Sequence, residues 1–267
     1  MRTSAGLEVA EIFRRYGPVY RESHKLPRNH LRVMQAIEVC RTAVLGDHKD
    51  KCDQCGHLEI SYNSCRNRHC PKCQTLAKEK WIEAHNADLL PIAYFHVVFT
   101  LPAELNHLVS MNQKVMYDLL FRSASATLME LAHDRKHLGA KIGGIVILHT
   151  WGQNLMDHPH VHCIVTGGGL SPASDRWVSC RKGFFLSVRV MSALFRGKFL
   201  DLLKKCFQKD ELVFGRTSHL DFECFFNQLY RKEWVVYCKP PFNGARGVLQ
   251  YLGRYTHRIA VSNNRIL

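Results

Sequence analysis

No stretch of the sequence is long and apolar enough to span a bilayer. The first residues, Met1-Arg2-Thr3-Ser4-Ala5-Gly6, lack the apolar centre of a signal peptide. These absences set aside a membrane span and a secretory leader, and predict a cytoplasmic protein. Acid is scarce: 23 Asp and Glu stand against 37 Lys and Arg, giving a net charge of +14. Such a deficit favours a polyanionic partner, of which nucleic acid is the usual one, over a membrane surface. Eleven cysteines, an odd count, fit metal ligation in a reducing compartment better than a disulfide framework. At 267 residues and 46% hydrophobic, the chain can bury one good core and a small satellite.

The cysteines are concentrated early. Cys52-Asp53-Gln54-Cys55-Gly56-His57 is followed by Cys65-Arg66-Asn67-Arg68-His69-Cys70-Pro71-Lys72-Cys73. Two residues between cysteines let one tight turn aim both sulfurs at one ion, and two such turns complete a tetrahedron. The spacing predicts a zinc ribbon ligated by Cys52, Cys55, Cys70 and Cys73, with Cys65, His57 and His69 as spare donors able to replace one of them or to take part in binding a second ion. So small and polar a segment buries little, so zinc would supply its folding energy. Arg66, Arg68 and Lys72 around the knuckles suit phosphate contacts. Amphipathic helices over Val9–Tyr20 and Leu31–Leu45 precede this segment, with His30 and Cys40 read as packing or surface residues.

A second concentration of donors lies mid-chain, in Asp157-His158-Pro159-His160-Val161-His162-Cys163-Ile164-Val165. Alternation predicts a β-strand, which puts His160 and His162 on one face and Val161 on the other. Two imidazoles on a rigid strand make half of a divalent-metal site. His158 counts as a flanking residue because Pro159 disturbs the strand start. The preceding strand, Ile145–Trp151, forms a hairpin with it. A turn centred near Leu155-Met156 sets His149 opposite His162 and on the same face as both histidines. His149 is thus the leading third ligand, with Gln153 nearer the turn as the alternative. Three ligands leave positions open for water and a phosphate oxygen, as a catalytic ion requires.

Other patterns are plainer. They predict a helix over residues 76–90, a central strand Ala93–Leu101, a long helix Glu104–Ala132, and Gly167-Gly168-Gly169 ending the histidine strand. A short strand pair is expected at Trp177-Val178 and residues 184–188, then helices Met191–Phe207 and Asp221–Lys232 and a strand Glu233–Tyr237. Lys239 opens a loop, and a further helix carries Tyr251-Leu252-Gly253-Arg254-Tyr255-Thr256-His257-Arg258. Tyr251 and Tyr255 are four apart and so share a helix face, flanked by the basic Arg254 and Arg258. Alone they read as packed aromatics. Beside a metal-type strand pair in a basic chain they become candidate nucleophiles, since a phenolate can attack phosphorus.

Four blocks together resemble a known family. They are Ser64–Cys73, His149-Thr150-Trp151-Gly152, His158-Pro159-His160-Val161-His162, and Tyr251–Arg258. The chain resembles the two-tyrosine rolling-circle transposases of insertion-sequence 91 type, in the HUH endonuclease superfamily, named for the His-hydrophobic-His element seen here as His160-Val161-His162. The resemblance implies an α+β fold: an antiparallel sheet of about five strands flanked by helices. It implies a helical and zinc-ribbon DNA-binding domain over residues 1–78 and a catalytic domain over 79–267. It further implies single-stranded DNA at element ends and target as partner, structural Zn²⁺, and catalytic Mg²⁺ or Mn²⁺. On that footing Tyr251 and Tyr255 are the catalytic pair, and Arg66, Arg68, Lys72, Lys239, Arg254 and Arg258 the nucleic-acid contacts. Members of the family continue beyond the tyrosine helix, so the resemblance implies that later segments are missing here. A non-catalytic zinc-dependent DNA-binding remnant or repressor, and a replication initiator or relaxase, are the competing expectations.

Overall fold

A computed structural model of the chain describes residues 7–152, 154–214, 219–239, 247–251, 253, 259, 261–263 and 266. It divides into two compact units, one of Met1–Ala87 with Gln250–Leu267 and the other of Asp88–Leu249. The division expected between residues 78 and 79 falls inside a continuous helix, Pro71–His85, so the chain parts beyond it.

In the first unit, helices α1 (Val9–Ser23) and α2 (Arg28–Glu38) pack through Val9, Ala10 and Ile37. The Arg21–Glu38 ion pair, 2.7 Å, also joins them. The second predicted helix stops early. Its chain turns at Val39, Cys40 is buried, and a 3₁₀ turn covers Ala43–Leu45. A hairpin follows, β1 (Asp47–Lys51) with β2 (Leu58–Tyr62), its residues nearly all exposed. Pro71 then starts α3 (Pro71–His85) at the position where a missing N–H costs nothing.

The second unit is built on an antiparallel five-stranded sheet. Its path runs β4 (Lys141–Trp151), β5 (Asp157–Leu170), β3 (Tyr94–Thr100), β7 (Val236–Lys239), and β6 (Trp177–Ser179) pairs with the end of β5. Strand periodicity sorts the side chains. Phe95, Val97, Phe99, Val161, Cys163 and Val165 face a core shared with α5 (Gln113–His133) and α6 (Val188–Gln208), including Met116, Leu120, Phe195 and Phe199. Each such apolar side chain contributes roughly 1.5–3 kcal/mol of burial. The histidines take the alternate positions, on the opposite face. α7 (His219–Arg231) brings Phe222 and Leu229 into the same core.

Three expectations are corrected here. The long helix breaks at Asn112 into α4 (Asn106–Met111) and α5. The Asn112 amide donates to the Leu108 carbonyl, a local competitor of helix continuation, and also donates to the Val213 carbonyl and accepts from the Val213 N–H. The triple glycine does not end β5 but lies inside it, because glycine lets β4 come close: a Cβ on Gly169 would sit 2.1 Å from the Lys141 carbonyl oxygen. Residues 184–188 form no strand. Phe185 and Leu186 plug the core instead, and β6 pairs with β5.

Candidate metal centres and the tyrosine segment

The histidine centre follows from the register of three strands. β4 and β5 pair His149 with His160 and Ile147 with His162, and β3 pairs Val98 with His162. The predicted register, His149 opposite His162, is off by two residues, because the turn centres near Asn154 and not near Leu155-Met156, Trp151 pairing with Asp157. A shift of two preserves the face, so the imidazoles still meet. The hairpin closes through Gly152 and Met156, with Leu155 at φ +63° and the Asn154 side chain accepting from the Met156 N–H. Gln153 lies outside the described residues.

The three side chains are 2%, 7% and 6% exposed for His149, His160 and His162, too buried to be surface histidines. One ring nitrogen from each lies within 4.8 Å of the others. The Nε2 atoms of His160 and His162 are 3.1 Å apart. That is the separation of two imidazoles sharing an ion at roughly 2.1 Å from each. The His149 ring stands edge-on to the other two, at 76° and 82°, so it converges on them instead of stacking. The Nδ1–H of His160 donates to the His158 carbonyl at 2.5 Å, leaving the Nε2 lone pair aimed at its neighbours. His158 itself is exposed and outside the trio. The donor set and its spacing fit a divalent cation with open positions.

His96, which carries no motif, also belongs to this neighbourhood. It is buried on β3, with Nε2 2.8 Å from the Nδ1 of His162. Burial first, and then the charges of Lys239 and His160, push its pKa down from 6.5 to about 4, so it is neutral. Lys239 is exposed on β7 directly across from it. A histidine within a strand otherwise apolar on both faces was the available signal, because a buried polar group needs a partner.

The cysteine centre differs from the expected one. Cys40, Cys65, Cys70 and Cys73 come together, their sulfurs within 4.8 Å of one another. Cys40 and Cys65 each lie 3.6 Å from Cys73, near the roughly 3.8 Å between thiolates on a tetrahedral zinc. Cys70 and Cys73, two of the four expected ligands, are in this group. Cys52 and Cys55 are not in the group, and stay exposed at the tip of the β1–β2 hairpin. They still form a knuckle, in which the N–H groups of Cys55 and Gln54 donate to the Cys52 sulfur and lower its pKa. Of the spare donors Cys65 joins, while His57 and His69 do not. Cys40 was missed because it belongs to no knuckle. The Arg41 N–H bonds to the Asn63 carbonyl at 3.1 Å, and so sets the end of α2 beside the segment leading to Cys65. Burial pushes the Cys70 thiol up to about 11 and raises Cys65 as well, so ion binding there expels protons.

Arg66 and Arg68 are exposed. Lys72 is held by Glu8 at 2.8 Å, which lessens its availability to phosphate. Tyr251 is helical and half-buried in the first unit, whereas Arg254, Tyr255 and Arg258 lie outside the described residues. Gly253 packs on α3, where an added Cβ would meet Ile82 Cδ1 at 2.9 Å and Lys78 Cγ at 3.0 Å. Among the described residues no helix is long and apolar enough to cross a membrane.

Comparison with known proteins gives two family matches, "Transposase zinc-binding domain" over residues 12–101 and "Putative transposase" over residues 143–267. The chain is 52% identical over 269 residues to "Putative transposase y4qJ" of Sinorhizobium fredii (strain NBRC 101917 / NGR234), covering 98% of this chain and 68% of that protein. It is 28% identical over 259 residues to "Transposase for insertion sequence element IS801" of Pseudomonas savastanoi pv. phaseolicola, covering 91% of this chain and 60% of the relative. The chain thus spans about two thirds or less of the curated relatives it matches. A metal-bound conjugative relaxase TrwC in complex with oriT DNA aligns at a TM-score of 0.32 and 10% identity, over 61% of this chain and 70% of that one. The zinc-domain match ends just past β3 and the transposase match contains all three clustered histidines and both tyrosines; with the Sinorhizobium relative, they establish that the chain belongs to the insertion-sequence 91 family of transposases and carries that family's zinc-binding domain.

Proposed function

We propose that this chain cuts and rejoins single-stranded DNA through a 5′-phosphotyrosine intermediate, at transposon ends and target, as the catalytic part of a DNA transposase. The observation that carries the reading is the buried trio His149, His160 and His162 on adjacent strands. Membership in the transposase family supports it. A divalent ion held by these imidazoles, Mg²⁺ or Mn²⁺, supplies Lewis-acid polarisation of the scissile phosphate. His160 and His162 fix the angle between two donors by their spacing on one strand, and His149 adds a third from the neighbouring strand. Lys239, exposed at the edge of the histidine face, offers a cation to the DNA backbone.

Tyr251 or Tyr255 carries the nucleophile. Its phenolic oxygen, having given up its proton, bonds to phosphorus as the P–O3′ bond breaks. The departing oxygen takes a proton and becomes a 3′ hydroxyl. The phosphotyrosine ester conserves the bond energy, so the reverse attack by a hydroxyl rejoins DNA without ATP, and the second tyrosine accepts the other strand. A Zn²⁺ on Cys40, Cys65, Cys70 and Cys73 holds the N-terminal domain, which with Arg66 and Arg68 contacts DNA. The proposed setting is the bacterial cytoplasm, at the nucleoid.

The test is incubation with labelled single-stranded DNA bearing an element end, plus Mn²⁺, followed by denaturing electrophoresis. The reading expects a protein–DNA adduct that vanishes in the Tyr251→Phe/Tyr255→Phe double variant. An adduct unaffected by that change contradicts it. DNA binding with steep salt dependence but no adduct would instead mark a zinc-dependent DNA-binding protein.

A further inference from the structure

We infer that His96 is a positioning residue for the histidine centre: its Nε2 accepts the Nδ1–H of His162 and so fixes the tautomer and ring angle with which His162 meets the ion. This rests on the metal reading of His149, His160 and His162, and adds to it a residue outside that trio.

A neutral imidazole carries one N–H and one lone pair. The Nε2 of His162 is turned toward the Nε2 of His160, 3.1 Å away, so Nε2 is the atom placed to bind an ion. It can do so only if its proton is on Nδ1. That Nδ1 is 2.8 Å from the Nε2 of His96, buried from water on both sides. The proton on Nδ1 must therefore be given to His96, which in turn keeps its own proton on Nδ1 and presents Nε2 as acceptor. The opposite arrangement, His96 Nε2–H donating, would put the His162 proton on Nε2 and block ligation. The rings are within 10° of parallel at 5.0 Å, so the in-plane direction of the bond also fixes the His162 ring plane. His160 receives the same service from a backbone carbonyl, that of His158. His162 lies mid-strand, where the neighbouring carbonyls are committed to the sheet, and takes its acceptor from the next strand instead. Outer partners of this kind raise ligand basicity and orientation, and their loss typically costs roughly 10–100-fold in metal affinity.

The experiment uses the whole 267-residue chain and titrates Mn²⁺ by electron paramagnetic resonance. His96→Leu removes the acceptor, and His96→Gln replaces it with an amide oxygen at similar reach. The expected result is a Mn²⁺ dissociation constant raised about 10–100-fold in His96→Leu and restored to within a few-fold of the native value in His96→Gln. Equal affinity in native and Leu proteins overturns the inference while leaving the metal site standing. Gln as poor as Leu also overturns it, since the ring and not its acceptor would then matter. Absence of Mn²⁺ binding to the native chain, or binding unaffected by His160→Ala, fails the metal reading itself. A second readout needs no variant: ¹⁵N spectra of the Zn²⁺-loaded histidine centre should show the His162 proton on Nδ1, and an unprotonated Nδ1 contradicts the proposal.

Discussion

The two donor clusters of this chain are opposites in how they relate to the fold. The four thiols collect residues from a helix end, a loop and a helix start, in a unit whose buried apolar cluster, among the described residues, is otherwise Val9, Ala10 and Ile37. There an ion would make the structure. The three imidazoles stand on paired strands backed by a large apolar core, so the sheet itself sets their placement. There the structure would make an ion site. Four donors close a tetrahedron and suit a structural metal, whereas three leave room for a reacting oxygen.

The largest expected effect follows from that contrast. Cys40→Ala should be as damaging as Cys70→Ala, with zinc content falling from one per cluster toward none and the N-terminal unit losing protease resistance. Structural zinc supplies on the order of 10 kcal/mol in small domains. Cys52→Ala should leave both zinc content and protease resistance near native. Equal loss in Cys52→Ala would restore the ribbon that the knuckle spacing suggested.

Next in size, His160→Ala or His162→Ala should abolish measurable Mn²⁺ binding while shifting the melting temperature of the metal-free protein by only a few degrees. A collapse of the fold would erase the distinction between the two clusters. Gly169→Ala should sharpen it differently. The added Cβ meets the Lys141 carbonyl and strains the β4–β5 pairing that aligns His149 with His160. A loss of about 3 kcal/mol in denaturant unfolding is expected, with weaker Mn²⁺ binding and unchanged zinc content.

The histidine centre was legible in sequence because β-strands have a period of two. His160 and His162 share a face in any register, and the two-residue slip in the predicted hairpin still left His149 with them. The thiol centre was legible only in part. Knuckle spacing identifies cysteines that can bind together, but it says nothing about which helix end the fold brings alongside, and Cys40 arrives by such a route. His96 was hidden for the same reason, since its link to His162 is a lateral sheet contact between distant segments. The glycines of β5 misled because turn chemistry and close strand approach ask for the same residue.

Smaller effects come from charge. His96 has a folded pKa of about 4 against an ordinary 6.5, so between those values the unfolded chain takes up the proton more readily. The stability linked to neutral His96 is therefore complete above pH 6.5 and lost as pH falls toward 4. Denaturation midpoints of metal-free protein at pH 7 and pH 5 should differ accordingly, and His96→Leu should reduce the difference. Smallest of all, Arg66→Ala or Arg68→Ala should lower the salt slope of DNA binding by about one. Lys72→Ala should lower it less, since Glu8 already holds that ammonium.

The most direct test of the account is where a catalytic cation sits. Crystals of the full chain soaked in Mn²⁺ should give an anomalous peak roughly 2.1–2.3 Å from Nε2 of both His160 and His162 and from a ring nitrogen of His149. No peak between these rings, or one centred only on exposed carboxylates, would contradict it.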